Sequence, residues 1–212
     1  MANPNYKSAT FLLSAAKLSQ LPPDRGIEVA FVGRSNAGKS SVLNQLTNNS
    51  KLARVSKTPG RTQQINIFVL DQSRRLIDLP GYGFAKVPDE IKIQWQKTLD
   101  AYLSTRECLT GLILVMDIRH PLMEIDCHLL NWASQGGLAV HILLNKADKL
   151  SNSAVKNTLM KVTKYIEAYP TPVTCQPFSA LKKTGINELR EVVNGWYNEK
   201  PVTATEDEAE SD

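Results

Sequence analysis

No stretch of this 212-residue chain approaches the roughly 18 uncharged apolar residues of a membrane-spanning helix, so no span is expected. Lys7 followed by Phe11-Leu12-Leu13-Ser14-Ala15-Ala16 is too short and too weakly basic for a secretory signal, which points to the cytoplasm. Ala2, not Gly, follows the initiator Met, and the chain ends Glu210-Ser211-Asp212 without a cysteine, so no lipid anchor is expected. Cysteine itself is scarce. Cys108, Cys127 and Cys175 are odd in number, far apart and outside any C-x-x-C spacing, which argues against a disulfide framework and a zinc site and leaves them as small buried hydrophobes. His120, His128 and His141 have no metal-ligand spacing, and His141 falls inside an apolar run, so all three read as structural.

What is present suits one domain with a substantial core: 42% hydrophobic and 22% charged residues. The net charge of +4 conceals an asymmetry. Residues 201–212 hold five acids and no base, and without them 25 basic residues face 16 acidic ones, a body of +9. A body that basic suits contact with a polyanion such as RNA. The acidic tail over 200–212 lacks apolar periodicity and reads as disordered.

Hydrophobic patterning alternates strand and helix. Strands are expected at 27–32, 64–70, 75–78, 111–117, 138–145 and 173–177, and helices at 39–48, 89–104, 122–134, 151–168 and 184–198. Residues 1–25 read as a partly ordered lead-in closed by the turn Leu21-Pro22-Pro23-Asp24, ahead of a nucleotide-binding domain over 26–199. Runs such as Leu112-Ile113-Leu114-Val115-Met116 lack period-2 polarity, as strands do when helices cover both sheet faces. Only Asp71-Gln72-Ser73-Arg74 separates two strands, too short for a crossover, so those two form an antiparallel hairpin at one edge. The expected fold is a three-layer α/β domain with a mostly parallel six-stranded sheet.

The chemistry gathers where the strands end. Gly33-Arg34-Ser35-Asn36-Ala37-Gly38-Lys39-Ser40 fits G-x-x-x-x-G-K-[ST] directly after a strand, the pattern of a loop whose main-chain N–H groups surround a triphosphate. Lys39 would neutralise the outer phosphates, and Ser40 would place its hydroxyl on Mg²⁺ at a helix N-terminus. Asp78-Leu79-Pro80-Gly81 follows the third strand, with the carboxylate toward Mg²⁺ and the Gly81 N–H toward a γ-phosphate. Asn145-Lys146-Ala147-Asp148 fits N-K-x-D, whose carboxylate accepts from both N1–H and N2–H₂ of guanine, whereas adenine lacks both donors there. Asn145 would tie this turn back to the phosphate loop, Lys146 would lay its methylene stem along the ring, and Phe178-Ser179-Ala180 would complete the base pocket. Ser56 to Gln64 is rich in turn residues and could be ordered by a γ-phosphate; Thr58 and Thr62 both qualify as a second metal ligand.

The order G-R-S-N-A-G-K-S, T-P-G-R-T-Q, D-L-P-G-Y-G, N-K-A-D and F-S-A resembles the translation-factor-class GTPases, and within them the EngB family of ribosome-biogenesis GTP-binding proteins. Tyr102-Leu103 in the Trp95 to Arg106 helix and Asp117-Ile118-Arg119-His120-Pro121 extend the likeness, which covers about residues 8 to 198. The resemblance implies Thr62 as the metal ligand of the first switch, and Gly60, Arg61, Thr62, Gln63 and Gln64 as nucleotide contacts. It implies hydrolysis of GTP to GDP with Lys39, Thr62 and Gly81 taking part, Mg²⁺ on Ser40, Thr62 and Asp78, and large ribosomal subunit precursors, their rRNA and ribosomal proteins, as partners of a monomer. An association with cell division and septation comes with it. Asn36 matches the asparagine with which K⁺-stimulated relatives hold the cation, although it also suits capping of loop carbonyls. Tyr82 stands where many small GTPases carry a water-orienting Gln, so unaided turnover is expected to be slow. Lys51, Arg54, Lys57 and Arg61 in or beside the first switch could read rRNA or merely keep the loop solvated. The competing classes are an ATP-using P-loop kinase and a signalling or membrane-associated GTPase.

Overall fold

The computed structural model describes residues 3–53, 64–82 and 89–198, with side chains omitted over 89–96. The segment 54–63, with Thr58 and Thr62, and the tail from 199 onward lie outside the described residues.

Among the described residues the chain runs β1 (Thr10–Ala15), β2 (Ile27–Gly33), α1 (Lys39–Thr47), β3 (Ile65–Val69), β4 (Arg74–Asp78), α2 (Asp89–Thr105), β5 (Leu109–Asp117), α3 (Glu124–Gln135), β6 (Ala139–Asn145), α4 (Asn152–Ile166), β7 (Val173–Pro177) and α5 (Ile186–Asn198). They form a seven-stranded sheet in the order β1-β3-β4-β2-β5-β6-β7. The mostly parallel three-layer α/β architecture is as expected, with two differences. The sheet has seven strands, not six, because residues 10–15 of the expected lead-in pair antiparallel with β3 through Thr10↔Val69 to Ala15↔Ile65. That pairing also moves the antiparallel strand β3 inward from the edge, between β1 and β4.

The rest of the lead-in is likewise built into the body. The Tyr6 hydroxyl donates to Asn194 Oδ1 at 2.7 Å, and Asp24 accepts from the backbone N–H groups of Glu107 and Cys108 at 3.0 and 2.9 Å.

Alternating side chains of the central strands feed two cores. Ala30 and Val32 of β2 with Leu112, Leu114 and Met116 of β5 meet Leu99, Tyr102 and Leu103 of α2, Leu130 of α3 and Val162 of α4. Val29, Phe31, Ile113 and Val115 meet Val42, Leu43 and Leu46 of α1 and Leu189, Val193, Trp196 and Tyr197 of α5. Helices thus cover both faces, and the uninterrupted apolar strands follow from that. A Cβ on Gly111 would come within 2.3 Å of the Trp196 ring, so the missing side chain on β5 lets α5 seat its indole against the sheet.

At the amino ends of the strands the sheet carries a buried ionic cluster. Arg106 grips Glu28 with two bonds of 2.9 and 2.7 Å, the Tyr102 hydroxyl donates to the same carboxylate at 2.8 Å, and Arg75 lies 3.3 Å away. Glu28 is 1% exposed, and a charge so placed is tolerated only with such partners. Cys108 is buried as expected, while Cys127 and Cys175 are half-buried; all three are free.

Candidate functional site

Parallel packing brings the motif-bearing ends of five strands to one edge of the sheet: Gly33 ends β2, Asp78 ends β4, Asp117 ends β5, Asn145 ends β6 and Pro177 ends β7. Crevices at the carboxyl ends of such strands are where open α/β sheets take ligands.

Gly33 and Gly38 bracket the loop from β2 to α1. A Cβ on Gly33 would meet the Val115 carbonyl oxygen at 2.4 Å, and Gly38 holds φ +99° with the Asn145 amide nitrogen 2.3 Å from where a Cβ would stand. Only glycine fits such a position. Asn36 also lies in the left-handed region, at φ 64°, and Ala37 is buried. Lys39 and Ser40 open α1, and the Lys39 ammonium is bonded to the Asp78 carboxylate across the crevice. Asp78 also accepts from Asn66 Nδ2 at 3.2 Å and is buried.

After Asp78, Leu79 and Pro80 are buried and fix the turn, Leu79 by donating its N–H to the Phe31 carbonyl at 3.0 Å. Tyr82 extends β4 alongside the phosphate loop: its N–H donates to Gly33 O at 3.2 Å, and its carbonyl accepts from the Ser35 N–H at 2.7 Å. Gly81 is thereby held against Gly33 and Ser35. The Tyr82 side chain turns into the core, 2% exposed, and its hydroxyl donates to Asp126 Oδ1 of α3 at 2.6 Å. Burial first, and then Asp126, push the phenol pKa well up, and burial raises the Asp126 carboxyl as well.

The side carrying the N-K-x-D turn is cross-braced. Asn145 Nδ2 donates to the Ala37 carbonyl at 2.8 Å, and Asn145 Oδ1 accepts from the Ala180 N–H at 3.3 Å, so one amide joins three loops. Lys146, at φ 66°, sends its ammonium to the Asn36 carbonyl at 2.6 Å and to Asp117 Oδ2 at 2.9 Å. Arg119 also bonds Asp117, and Arg119 first, then Lys146, hold that carboxyl well below the ordinary range. The Ala147 N–H donates to the Phe178 carbonyl at 3.0 Å, and Phe178 is fully buried. Ser179 donates its hydroxyl to Asp148, which lowers that carboxyl and keeps it ionised.

Of the expected site residues, Gly33 to Ser40, Asp78 to Gly81, Asn145 to Asp148 and Phe178 to Ala180 lie at or after the carboxyl ends of β2, β4, β6 and β7, with Ala37, Leu79 and Phe178 buried among them, and Gln64 is the exposed residue just ahead of β3. Gly60, Arg61, Thr62 and Gln63 lie outside the described residues. Sequence reasoning did not assign Asp117 or Asp126 a place in the site. Asp117 carried a signal, since it closes a strand at the same level as Asn145; Asp126 carried none, because its link to Tyr82 is tertiary. His141 is structural as expected, its ring nitrogens 2.7 Å from Thr174 Oγ1 and 2.9 Å from Gln176 Oε1. Among the described residues no helix is long and apolar enough to cross a membrane, and no three His, Cys, Asp or Glu side chains group as a metal cage.

A glycine-framed phosphate loop with an aspartate opposite its lysine and an N-K-x-D turn braced to that loop defines a P-loop guanine-nucleotide-binding domain. The family described as "50S ribosome-binding GTPase" matches residues 28–146. The probable GTP-binding protein EngB of Klebsiella pneumoniae subsp. pneumoniae is 50% identical over 210 residues, 99% of this chain and all of that one. Its counterpart from Coxiella burnetii is 52% identical over 198 residues, covering 93% and 97%. A crystal structure of a probable GTP-binding protein engB superimposes with TM-score 0.67 at 23% identity over 82% of this chain and all of that one. Era, solved with MgGDPNP and a 16S ribosomal RNA fragment, gives 0.63 at 23% identity over 81% of this chain and 57% of that one. The chain belongs to the EngB family of GTP-binding proteins and is a GTP-hydrolysing enzyme.

Proposed function

We propose that this GTPase is a switch in assembly of the large ribosomal subunit, binding precursor particles in its GTP form and leaving after hydrolysis. The observation that carries the nucleotide half is the single Asn145 amide linking the phosphate loop to both base-reading loops. The ribosomal half is supported by the matching family's description and by a body of +9 once residues 201–212 are set aside. The setting is the cytoplasm, the protein acts as a monomer, and an effect on cell division and septation follows from impaired ribosome supply.

In this reading main-chain N–H groups from Gly38 to Ser40, at the start of α1, hold the phosphates, and Lys39 exchanges Asp78 for the β- and γ-phosphates when nucleotide enters. Asp148 accepts from guanine N1–H and N2–H₂, a main-chain N–H of the loop after β7 donates to O6, and the Lys146 stem covers the ring. Gly60 to Gln64 are further nucleotide contacts. The donor set suits Mg²⁺: hard oxygens from the Ser40 hydroxyl, the Thr62 hydroxyl and the Asp78 carboxylate, too few for an all-protein cage and enough alongside phosphates. Bound there, Mg²⁺ supplies neutralisation of charge developing between the β- and γ-phosphates. Gly81 offers its N–H to the terminal phosphate.

Tyr82, buried against α3, presents no group to orient a water, so turnover is slow until a partner or K⁺ near Asn36 completes the site. Equal hydrolysis rates in KCl and NaCl would remove the K⁺ role. The functional test is co-sedimentation with large-subunit precursors. Binding with a GTP analogue that is lost with GDP and in Lys39→Ala supports the reading; binding indifferent to nucleotide refutes it.

A further inference from the structure

We propose that Asp126 on α3 is a positioning residue for GTP hydrolysis, acting through the Tyr82 hydroxyl to hold the Gly81 N–H where the terminal phosphate arrives. This rests on the reading of Gly81 as the γ-phosphate contact. Tyr82 is fastened at three points. Its N–H and carbonyl pair with Gly33 and Ser35 of the phosphate loop, and its hydroxyl reaches Asp126 Oδ1 at 2.6 Å. Asp126 is fully buried and is itself fixed, since Oδ2 accepts from the Met123 N–H at 3.1 Å at the start of α3. A buried carboxylate with both oxygens engaged is a rigid anchor.

Gly81 has no side chain of its own to fix its plane, so its orientation is inherited from its neighbours. On one side stand the buried Leu79 and Pro80, and on the other the tethered Tyr82. Where many small GTPases place a water-orienting amide, this chain places an anchor, and its contribution to the reaction is a preorganised main-chain donor.

The test uses the full chain as wild type, Tyr82→Phe, Asp126→Ala and Asp126→Asn, with affinities for GDP and a non-hydrolysable GTP analogue, single-turnover hydrolysis and melting midpoints. Tyr82→Phe keeps the ring and removes the hydroxyl. Loss of a buried hydrogen bond that matters only with the terminal phosphate should weaken the analogue and slow hydrolysis about tenfold, and change GDP affinity less than about twofold. Asp126→Ala should do the same, and Asp126→Asn, which retains an acceptor oxygen, should recover most of the loss. GDP affinity reports folding in each variant. Equal weakening of both nucleotides with a lowered midpoint would make the pair merely structural and overturn the proposal, as would unchanged analogue affinity and rate. Failure of the wild type to bind either nucleotide would instead overturn the reading beneath it.

Discussion

Asn145 Nδ2 donates to the carbonyl of Ala37 at 2.8 Å, joining residues 108 positions apart, and the N-K-x-D turn is thereby fastened to the loop between β2 and α1. Gly38 makes this approach possible, because a Cβ there would fall 2.3 Å from the same amide nitrogen. Gly38→Ala should therefore push Asn145 off Ala37 and strain φ +99° together, reducing guanine-nucleotide affinity at least about 100-fold while the melting midpoint falls by only a few degrees. Titration with a fluorescent GDP checks it.

Lys39 and Asp78 form an ion pair with both side chains largely buried. Lys39→Ala removes the phosphate partner and leaves the Asp78 carboxylate without its cation. Nucleotide binding should be lost at micromolar protein, and unfolding free energy should fall by about 3 kcal/mol. Isothermal titration and denaturant unfolding read the two effects separately.

The Ser179 hydroxyl donates to Asp148 and lowers its carboxyl, so in the proposed function base choice rests on an acceptor-only group. Asp148→Asn presents an amide in its place. GTP affinity should fall about 100-fold, while xanthosine triphosphate, which offers an oxygen where guanine has its amino group, should bind better than GTP. Competition binding with the two nucleotides decides this.

His141 is 3% exposed, and burial, partly opposed by Gln176, pushes its pKa down to about 4. The unfolded chain then binds a proton that the folded one refuses between the ordinary value of 6.5 and about 4. This contribution is complete above pH 6.5 and is lost as pH falls through that window, at most about 3 kcal/mol. His141→Asn should show a shallower fall in unfolding free energy between pH 7 and about pH 4 than wild type, measured by urea denaturation.

Glu28 lies at the sheet end opposite the nucleotide crevice, bonded to Arg106 and Tyr102. Glu28→Ala takes the shared carboxylate from Arg106, Arg75 and Tyr102, leaving Arg106 with Asp24 at 3.7 Å and Arg75 with main-chain carbonyls, and should cost about 3 kcal/mol, roughly 10 °C in melting midpoint, without altering the preference for GTP over ATP. Calorimetry and nucleotide competition check the two halves.

The parallel core was legible because its strands are continuous apolar runs and its motifs close them, so strand, loop and chemistry coincide at Gly33, Asp78 and Asn145. β1 was not. Phe11 and Leu12 are 54% and 47% exposed, and a register shift between Phe11 and Leu13 interrupts alternation, so the strand exists through pairing with β3 and not through a pattern of its own. The inward position of β3 follows from the same missed strand. Tyr82 could be read as lacking the amide of a water-orienting Gln, but where its hydroxyl goes depends on Asp126, 44 residues away on a separate helix. Lys146 could be placed near the base, whereas its ammonium's two anchors, Asn36 and Asp117, come from loops that meet only after the sheet forms.

The measurement that bears most directly on the account is the affinity of the purified chain for GTP and for ATP, taken side by side with magnesium present. Two donors on guanine meeting the Asp148 carboxylate predict binding of GTP at least about 100-fold tighter than ATP. Equal affinities, or no binding of either, would contradict it.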